Sequence, residues 1–444
     1  MAAEKVKTGL VCVGLEGERN DLGRQFHETA LRELAEIGIE VVNPDSSLTL
    51  TGEEVRGQTE TCLALGAQSM VYLAGTWLLA SHVVDAVREL NVPFGIWGIP
   101  EAASFSSVGA NVLHGTLDEM GIRHWLFYGM PDERDVLRQI RNFAKAASVK
   151  RRLGAARMGV LGGRAISAYP TTADPIQIKK IFGTEVEHID QMVLLQKAKN
   201  VAEDKCAVLV KQIRERYGSV DVPEKTLIKC ASVYYALKEI IEEYSLDMVT
   251  VKCIGEFMDS YCSCCVALSM LNDEGYLCGC QCNLNALLSG YILTSLSGEP
   301  HFFGDVNMVD TKEGVARMIH CGSGPGKLAE DYEDIDIVEQ YEYMGAGRGA
   351  CTLFCCKEGD VTFGTLGRRN GEYVMNIASG STFKKPKEEL EAVRTWVQAF
   401  IRLQCDPMEF YRNLRCNHSV FGYGCHEEAL MMLCEMLGIE AITY

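Results

Sequence analysis

Residues 251–289 read VKCIGEFMDSYCSCCVALSMLNDEGYLCGCQCNLNALLS, and the fold turns on how this stretch is parsed. It belongs to a β-rich run, VTVKCIGEF, that brings Glu256 beside a glycine. A helix follows, then the turn Asn272-Asp273-Glu274-Gly275, then a second strand over 276–283 and an apolar helix over 286–297. In an extended run side chains alternate, so Cys278, Cys280 and Cys282 share one face and Gly279, Gln281 and Asn283 the other. The polar face then presents an amide pair at a strand's carboxyl end, where open α/β sheets place ligands. A buried strand with its amides tied to backbone fits the same letters.

Outward toward the N-terminus, residues 1–150 alternate strands and helices. GLVCVGL, SMVYLAG, VPFGIWG and HWLFYG read as strands, with amphipathic helices over 23–37, 54–65, 78–90 and 112–120. This βα alternation predicts a mostly parallel, doubly wound sheet. The first turn, Gly14-Leu15-Glu16-Gly17, lacks the G-x-G-x-x-G spacing, and Glu16 and Glu18 repel a pyrophosphate, which excludes a dinucleotide site there. Lys150-Arg151-Arg152 marks a linker. A second αβ unit begins at RMGVLGGR and continues through a long helix over 191–216 and another over 224–244. Arg164 opens its first polar loop, placed either to meet an anionic substrate or to cap a helix.

After Gly298 the character changes to short strand-like runs, CTLFCCKEGDVTFGTLGR and EYVMNIASG, separated by Gly and charged turns. A helix is expected over 388–403, and a loop carrying His418 precedes a last helix and strand. GSGPGKL is too short between glycines, and lacks a Ser or Thr after Lys327, for a Walker A cradle. The expected architecture is α/β: two doubly wound parallel-sheet (Rossmann/flavodoxin-like) domains followed by a β-rich C-terminal domain. The expected boundaries are 1–152, 153–281 and 282–444.

The 444 residues carry a net charge of −17, which argues against nucleic-acid binding because phosphate attraction is the first requirement there. It leaves room for an anionic small molecule held by a local Arg or Lys. No run approaches the length of a membrane span, and the N-terminal apolar run lacks a cleavage pattern, so a cytoplasmic location is expected. Nineteen cysteines, seven of them between Cys253 and Cys282, fit reduced thiols better than a disulfide framework. Cys278-x-Cys280-x-Cys282 is not C-x2-C spacing, and a period-2 cysteine face is most simply a small apolar face.

The order of the short motifs resembles that of the L-arabinose/L-fucose isomerase family. VLGGR, the VKC…E segment, a strand running into a helix, HCG at 320–322, DVTFGTLGR and CNHSVFGYG before the last helix carry the resemblance, over nearly the whole chain. It implies an aldose–ketose isomerase acting on an open-chain sugar, with a divalent cation, typically manganese, stabilising an enediol. The family's acidic ligands fall at Glu256 and at Asn283, its histidines at His320 and His418, with Glu256 also the catalytic base. Related members carry a run like C-E-G-D where this chain has Cys280-Gln281-Cys282-Asn283. Both carboxylates of that run are amides here, and an amide is a neutral, weak ligand for a hard cation and no base.

On this resemblance Gln281, Asn283, His418 and Arg164 bind substrate. His114 and Trp77 do so from a neighbouring subunit's first domain, in a homo-oligomer, a trimer or hexamer, with no nucleic-acid or membrane partner. The 6-position can be deoxy or bear a sulfonate, for which Arg164, Arg348 and Lys327 are candidate anchors. Two other readings stay open: a metal-independent lyase or epimerase with Glu256 as base, and a non-catalytic sugar-binding protein. Fold alone does not separate them.

Overall fold

The computed structural model describes residues 6–42, 47–341 and 348–444. Its contacts divide the chain into two compact units, Ala3–Arg151 and, apart from the first two residues, Arg152–Tyr444.

The first unit alternates β1 (Val6–Val13), α1 (Asn20–Glu36), β2 (Ile39–Val41), α2 (Gly52–Ala64), β3 (Ser69–Ala74), α3 (Ala80–Val87), β4 (Phe94–Gly98), α4 (Ser106–Glu119) and β5 (Trp125–Tyr128). The helix α5 (Arg134–Ala155) carries the chain across the boundary. The strands form one parallel sheet in the order β2-β1-β3-β4-β5, the flavodoxin-like order. Leu10 to Val13 are wholly buried, as expected of a strand covered on both faces. Thr51 and Glu54 close a reciprocal capping box at the start of α2.

The second unit opens with β6 (Arg157–Leu161), α6 (Pro175–Phe182), β7 (Glu185–Ile189), α7 (Gln191–Asn200) and α8 (Glu203–Arg216). The single helix expected over 191–216 is therefore two. Val201 is extended (φ −68°, ψ 130°) and breaks the run, a local choice that the helical composition of both sides conceals. Then come β8 (Ser219–Asp221), α9 (Glu224–Glu243), β9 (Met248–Val251), α10 (Glu256–Ser260), α11 (Cys265–Asp273), β10 (Leu277–Cys280) and α12 (Leu284–Ser297). β10-β9-β6-β7 make a second parallel sheet. The extended run expected through Phe257 stops at Val251, and Glu256 instead heads the short helix α10.

The remainder is strand-rich: β11 (Phe302–Asp310), β12 (Val315–Ile319), β13 (Asp336–Glu339), β14 (Ala350–Leu353), β15 (Gly359–Arg369), β16 (Glu372–Phe383), β17 (Gln398–Leu403), β18 (His418–Tyr423) and β19 (Glu440–Thr443). Of its helices, α13 (Lys387–Glu391) and α14 (Pro407–Asn413) are short, and α15 (Glu427–Leu437) is the last. The order β15-β18-β11-β12-β17-β16 closes on itself through the β15–β16 pairing, giving a six-stranded antiparallel barrel with β19 added parallel to β16. Closure leaves no free edge among these six strands. Of the helix expected over 388–403 only 388–391 are helical, within α13; Gln398–Leu403 is strand and pairs on both sides, with β12 and β16, and this ladder overrides local helical periodicity. α12 lies between the parallel sheet and the barrel. Gly364 on β15 and Gly422 on β18 face Leu293, where a Cβ would stand 3.0 and 3.3 Å from neighbouring side chains, so glycines let the helix seat closely. Among the described residues no helix is long and apolar enough to cross a membrane.

Candidate active site

The carboxyl ends of β6, β9 and β10 meet the amino end of α12 and the first residue of β18. The strand β10 ends at Cys280, and the alternation expected through Asn283 ends with it. Gln281 (φ 60°) and Cys282 (φ 47°) both adopt the left-handed region, which non-glycine residues seldom enter. Two such residues in succession are strained backbone at a strand-to-helix turn, the kind of place where strain serves function. Cys282 turns back beneath the sheet, its Sγ 3.3 Å from the Leu161 carbonyl. Gln281 is buried, and its Oε1 has no hydrogen-bond partner among the described residues.

Asn283 is the N-cap of α12, and its Oδ1 accepts the Ala286 N–H at 3.1 Å. Its Nδ2 lies 2.9 Å from His418 Nδ1 and 3.5 Å from Cys416 Sγ. His418 begins β18, directly across the ladder from Asp305 on β11, and opposed residues of an antiparallel pair project to one face. Asp305 Oδ1 accepts from Asn417 Nδ2 at 2.7 Å and stands 3.8 Å from His418 Nε2. On its other side Asp305 pairs with Ile319, the residue before His320. The two imidazoles lie 5.7 Å apart, centroid to centroid, and Phe303 packs against both, at 4.7 and 4.2 Å.

Both rings are fully enclosed, and among the described residues neither Nε2 atom has a hydrogen-bond partner. Burial pushes His320 down to about 4, helped by the neighbouring His418, and pushes His418 down to about 3. His320 Nδ1 is 3.0 Å from Ser323 Oγ. Asp305, half-buried, is raised above the ordinary carboxylate value by desolvation, against the opposing pull of His320 and Asn417. Asn417 is exposed, so the Asp305–Asn417 edge is where the cluster reaches solvent.

The structure thus brings together Asn283, His320 and His418, with Gln281 two residues before Asn283 in the same strand-to-helix turn. It does not bring Glu256 to them. Glu256 is turned to Lys252, with the closest carboxylate oxygen at 2.7 Å and 69% of its side chain exposed. That hydrogen bond holds its carboxyl below the usual value. Among the described residues no hydrogen bond or ion pair joins Glu256 to either histidine. Arg164 sits in the loop after β6 with its guanidinium 4.0 Å above the Tyr169 ring, and Asn285 in the first turn of α12 holds that loop through the Pro170 carbonyl at 2.9 Å. Arg348 is paired with Asp259, and the Lys327 backbone is bonded to Asp273.

In the first unit, His114 Nδ1 lies 2.7 Å from His124 Nε2 and its Nε2 is 3.5 Å from Asp118. Trp77, in the loop three residues beyond β3, bonds through its backbone to Ser104 and tilts against Phe105 at 6.4 Å. Sequence reasoning missed Asp305 and Asn417. The signal available was an acid two residues after Phe303 in FFGDVNM, hence on the same strand face as an aromatic, but the partner strand could not be read from the letters.

Residues 318–444 match the family described as the L-fucose isomerase C-terminal domain. Over a longer span, a sulfoquinovose isomerase from Clostridium sp. (strain MSTE9) is 25% identical over 391 residues, covering 83% of this chain and 80% of that protein. One from Alkalicoccus urumqiensis is 22% identical, covering 72% and 73%, and one from Priestia aryabhattai is 20% identical, covering 91% of each. These matches give residues 318–444 the L-fucose isomerase C-terminal domain and support the chain as a divergent relative of that family. It is an isomerase.

Two groups of side chains in this isomerase could hold an ion. Cys280, His320 and Cys321 offer ligand atoms within 4.8 Å of one another, buried; His114, Asp118 and His124 do the same nearer the surface. The first is a soft sulfur–nitrogen set of the kind that suits zinc rather than manganese. The set implied by the resemblance, Glu256, Asn283, His320 and His418, does not fit a hard divalent cation in this arrangement. Its one carboxylate faces Lys252, and Asn283 spends Oδ1 on the helix and Nδ2 on His418.

Proposed function

We propose that this isomerase interconverts an open-chain aldose and its 2-ketose, and that the sugar bears a sulfonate at C6, as sulfoquinovose does. The observation that carries the reading is that relatives aligned over 72% to 91% of this chain are all sulfoquinovose isomerases. The buried cluster supports it chemically. Moving a proton between adjacent carbons asks for a carboxylate base and a hydrogen-bond donor at the carbonyl oxygen, held away from water. Asp305 and Glu256 are the two candidate bases, His418 and His320 the donors, and Gln281 offers an unpaired amide oxygen to a hydroxyl.

Arg164 serves as the sulfonate anchor. Arg348 is committed to Asp259, whereas among the described residues Arg164 has no carboxylate partner and lies in the loop tied to the first turn of α12. A guanidinium matches a tetrahedral anion through two parallel donors. A role for a bound cation, manganese in particular, finds no support in the donor set around Asn283; the Cys280–His320–Cys321 group is the better place for one. Assembly into a trimer or hexamer, with His114 and Trp77 presented to a neighbour, is supported by an exposed apolar stripe on the first unit, Phe105, Val108 and Val112 at helical spacing.

The test is incubation of the purified protein with sulfoquinovose, followed by proton NMR. Appearance of the 2-ketose, faster than from glucose or a 6-deoxy aldose, is expected. A folded protein that turns over none of these sugars, with or without added divalent cations, contradicts the reading.

A further inference from the structure

The hydrogen bonds of Asn283 decide where His418 carries its proton. Because Asn283 Oδ1 accepts from the Ala286 N–H, its Nδ2 is the atom turned to His418 Nδ1, 2.9 Å away. An amide nitrogen only donates. Nδ1 is therefore the bare nitrogen, and the neutral ring carries its hydrogen on Nε2. That N–H is buried without an acceptor among the described residues, 3.8 Å from Asp305 Oδ1 and so beyond hydrogen-bond length. A carboxylate at position 283 would reverse this. It would accept from Nδ1–H and leave Nε2 as a free lone pair, the state in which imidazole ligates metal. The amide turns a ligand into a donor.

We propose that Asp305 and His418 are the acid–base pair of the isomerisation, that Asn283 is the positioning residue that makes His418 an Nε2–H donor, and that this pair works without a metal. The inference rests on the isomerase reading and names the groups that move its protons. Asp305 carboxylate takes the proton from C2 of the aldose. The C–H electron pair becomes the C1–C2 double bond while the carbonyl pair moves onto O1, which receives the His418 Nε2 proton. His418 regains a proton from O2–H, the electrons return through C2, and C1 takes the proton held by Asp305. One hydrogen has passed from C2 to C1 and one from O2 to O1, with no electron gained or lost. A neutral imidazole can act in this way as the electrophile toward a carbonyl. Asp305, half-exposed beside Asn417, is where the cluster reaches solvent, and a reacting oxygen admitted from that edge would satisfy the buried Nε2–H.

The experiment reads the tautomer and the rate separately. In protein labelled with 15N-histidine, with His418 assigned by its loss in His418→Gln, long-range proton–nitrogen correlation is expected to show Nε2 protonated and Nδ1 bare. Sulfoquinovose turnover is expected to survive exhaustive chelation. Asp305→Asn is expected to lose about 10²-fold or more in kcat with KM little changed. Asn283→Asp, which keeps the helix cap, is expected to move the proton to Nδ1, cut chelator-resistant turnover at least tenfold and gain manganese binding by calorimetry. A bare Nε2 in the unaltered protein, turnover abolished by chelation, or a near-normal Asp305→Asn overturns the proposal. Absence of turnover on any sugar instead removes the isomerase reading, while the tautomer still stands or falls on the NMR.

Discussion

Glu256 and Asp305 are both carboxylates in the second unit, and their surroundings make them different chemical groups. Glu256, on a one-turn helix beyond β9, is solvated and paired with Lys252, and its carboxyl is held low. Asp305, in a barrel strand between the residues that lead to two enclosed histidines, is partly desolvated and its carboxyl is raised. A general base works best as its pKa nears the working pH, and desolvation moves Asp305 in that direction while the ion pair moves Glu256 away. The motif points to one carboxylate and the local physics to the other.

The comparison breaks most sharply on rate. Asp305→Asn is expected to lower kcat by about 10² to 10⁴, the usual worth of a positioned base. Glu256→Gln should stay within about tenfold; steady-state kinetics on both variants in one assay decides between them. The reverse order would return the chemistry to Glu256.

Acid sensitivity is the next largest difference. His320 and His418 have folded values of about 4 and about 3, below the roughly 6.5 of an unfolded histidine. Depressed values mean that the unfolded chain takes up protons first. Their contribution is whole above pH about 6.5 and is lost progressively as pH falls toward the folded values, at up to about 1.4 kcal/mol per pH unit per ring. Thermal melts from pH 7 to 5 should show this fall, and His418→Gln should flatten it. Glu256 has the same sign, stabilising above its unfolded value near 4.3 and losing that as pH falls, but its exposure to solvent makes the effect small.

Smaller effects sharpen the picture further. Arg164→Ala should raise KM for sulfoquinovose about tenfold, roughly one charge-assisted hydrogen bond, and leave KM for an uncharged 6-deoxy sugar unchanged. Equal shifts for both sugars would remove Arg164 as the sulfonate anchor. Asn283→Ala should cost about 1 kcal/mol in denaturant unfolding through the lost cap. Lys252→Met should change stability by at most about 0.5 kcal/mol, as an exposed pair does.

Much of this architecture was legible in the letters. The βα alternation announced both parallel sheets, and the Gly- and turn-rich tail announced a strand-rich end. Where local pattern and tertiary pairing disagreed, pairing won: residues 398–403 carry helical periodicity yet lie between β12 and β17's other neighbour, β16, in a closed barrel. At the site, Gln281, Asn283, His320 and His418 could be marked because short motifs surround them. Asp305 could not, since its meaning comes from standing opposite His418, 113 positions later in the chain, and strand register is a property of the folded barrel. The left-handed turn at Gln281 and Cys282 was equally hidden, because neither residue type signals it.

The most direct measurement is sulfoquinovose isomerisation in deuterium oxide by exhaustively chelated protein, unaltered and Asp305→Asn, read by deuterium at C1 and C2. The account predicts chelator-resistant turnover in the unaltered protein, with label entering at those carbons as the half-exposed Asp305 carboxyl exchanges the proton it holds with solvent before returning it, and loss of both turnover and label in Asp305→Asn. Exchange that vanishes on chelation and returns with a divalent cation, or that persists undiminished in Asp305→Asn, would contradict it.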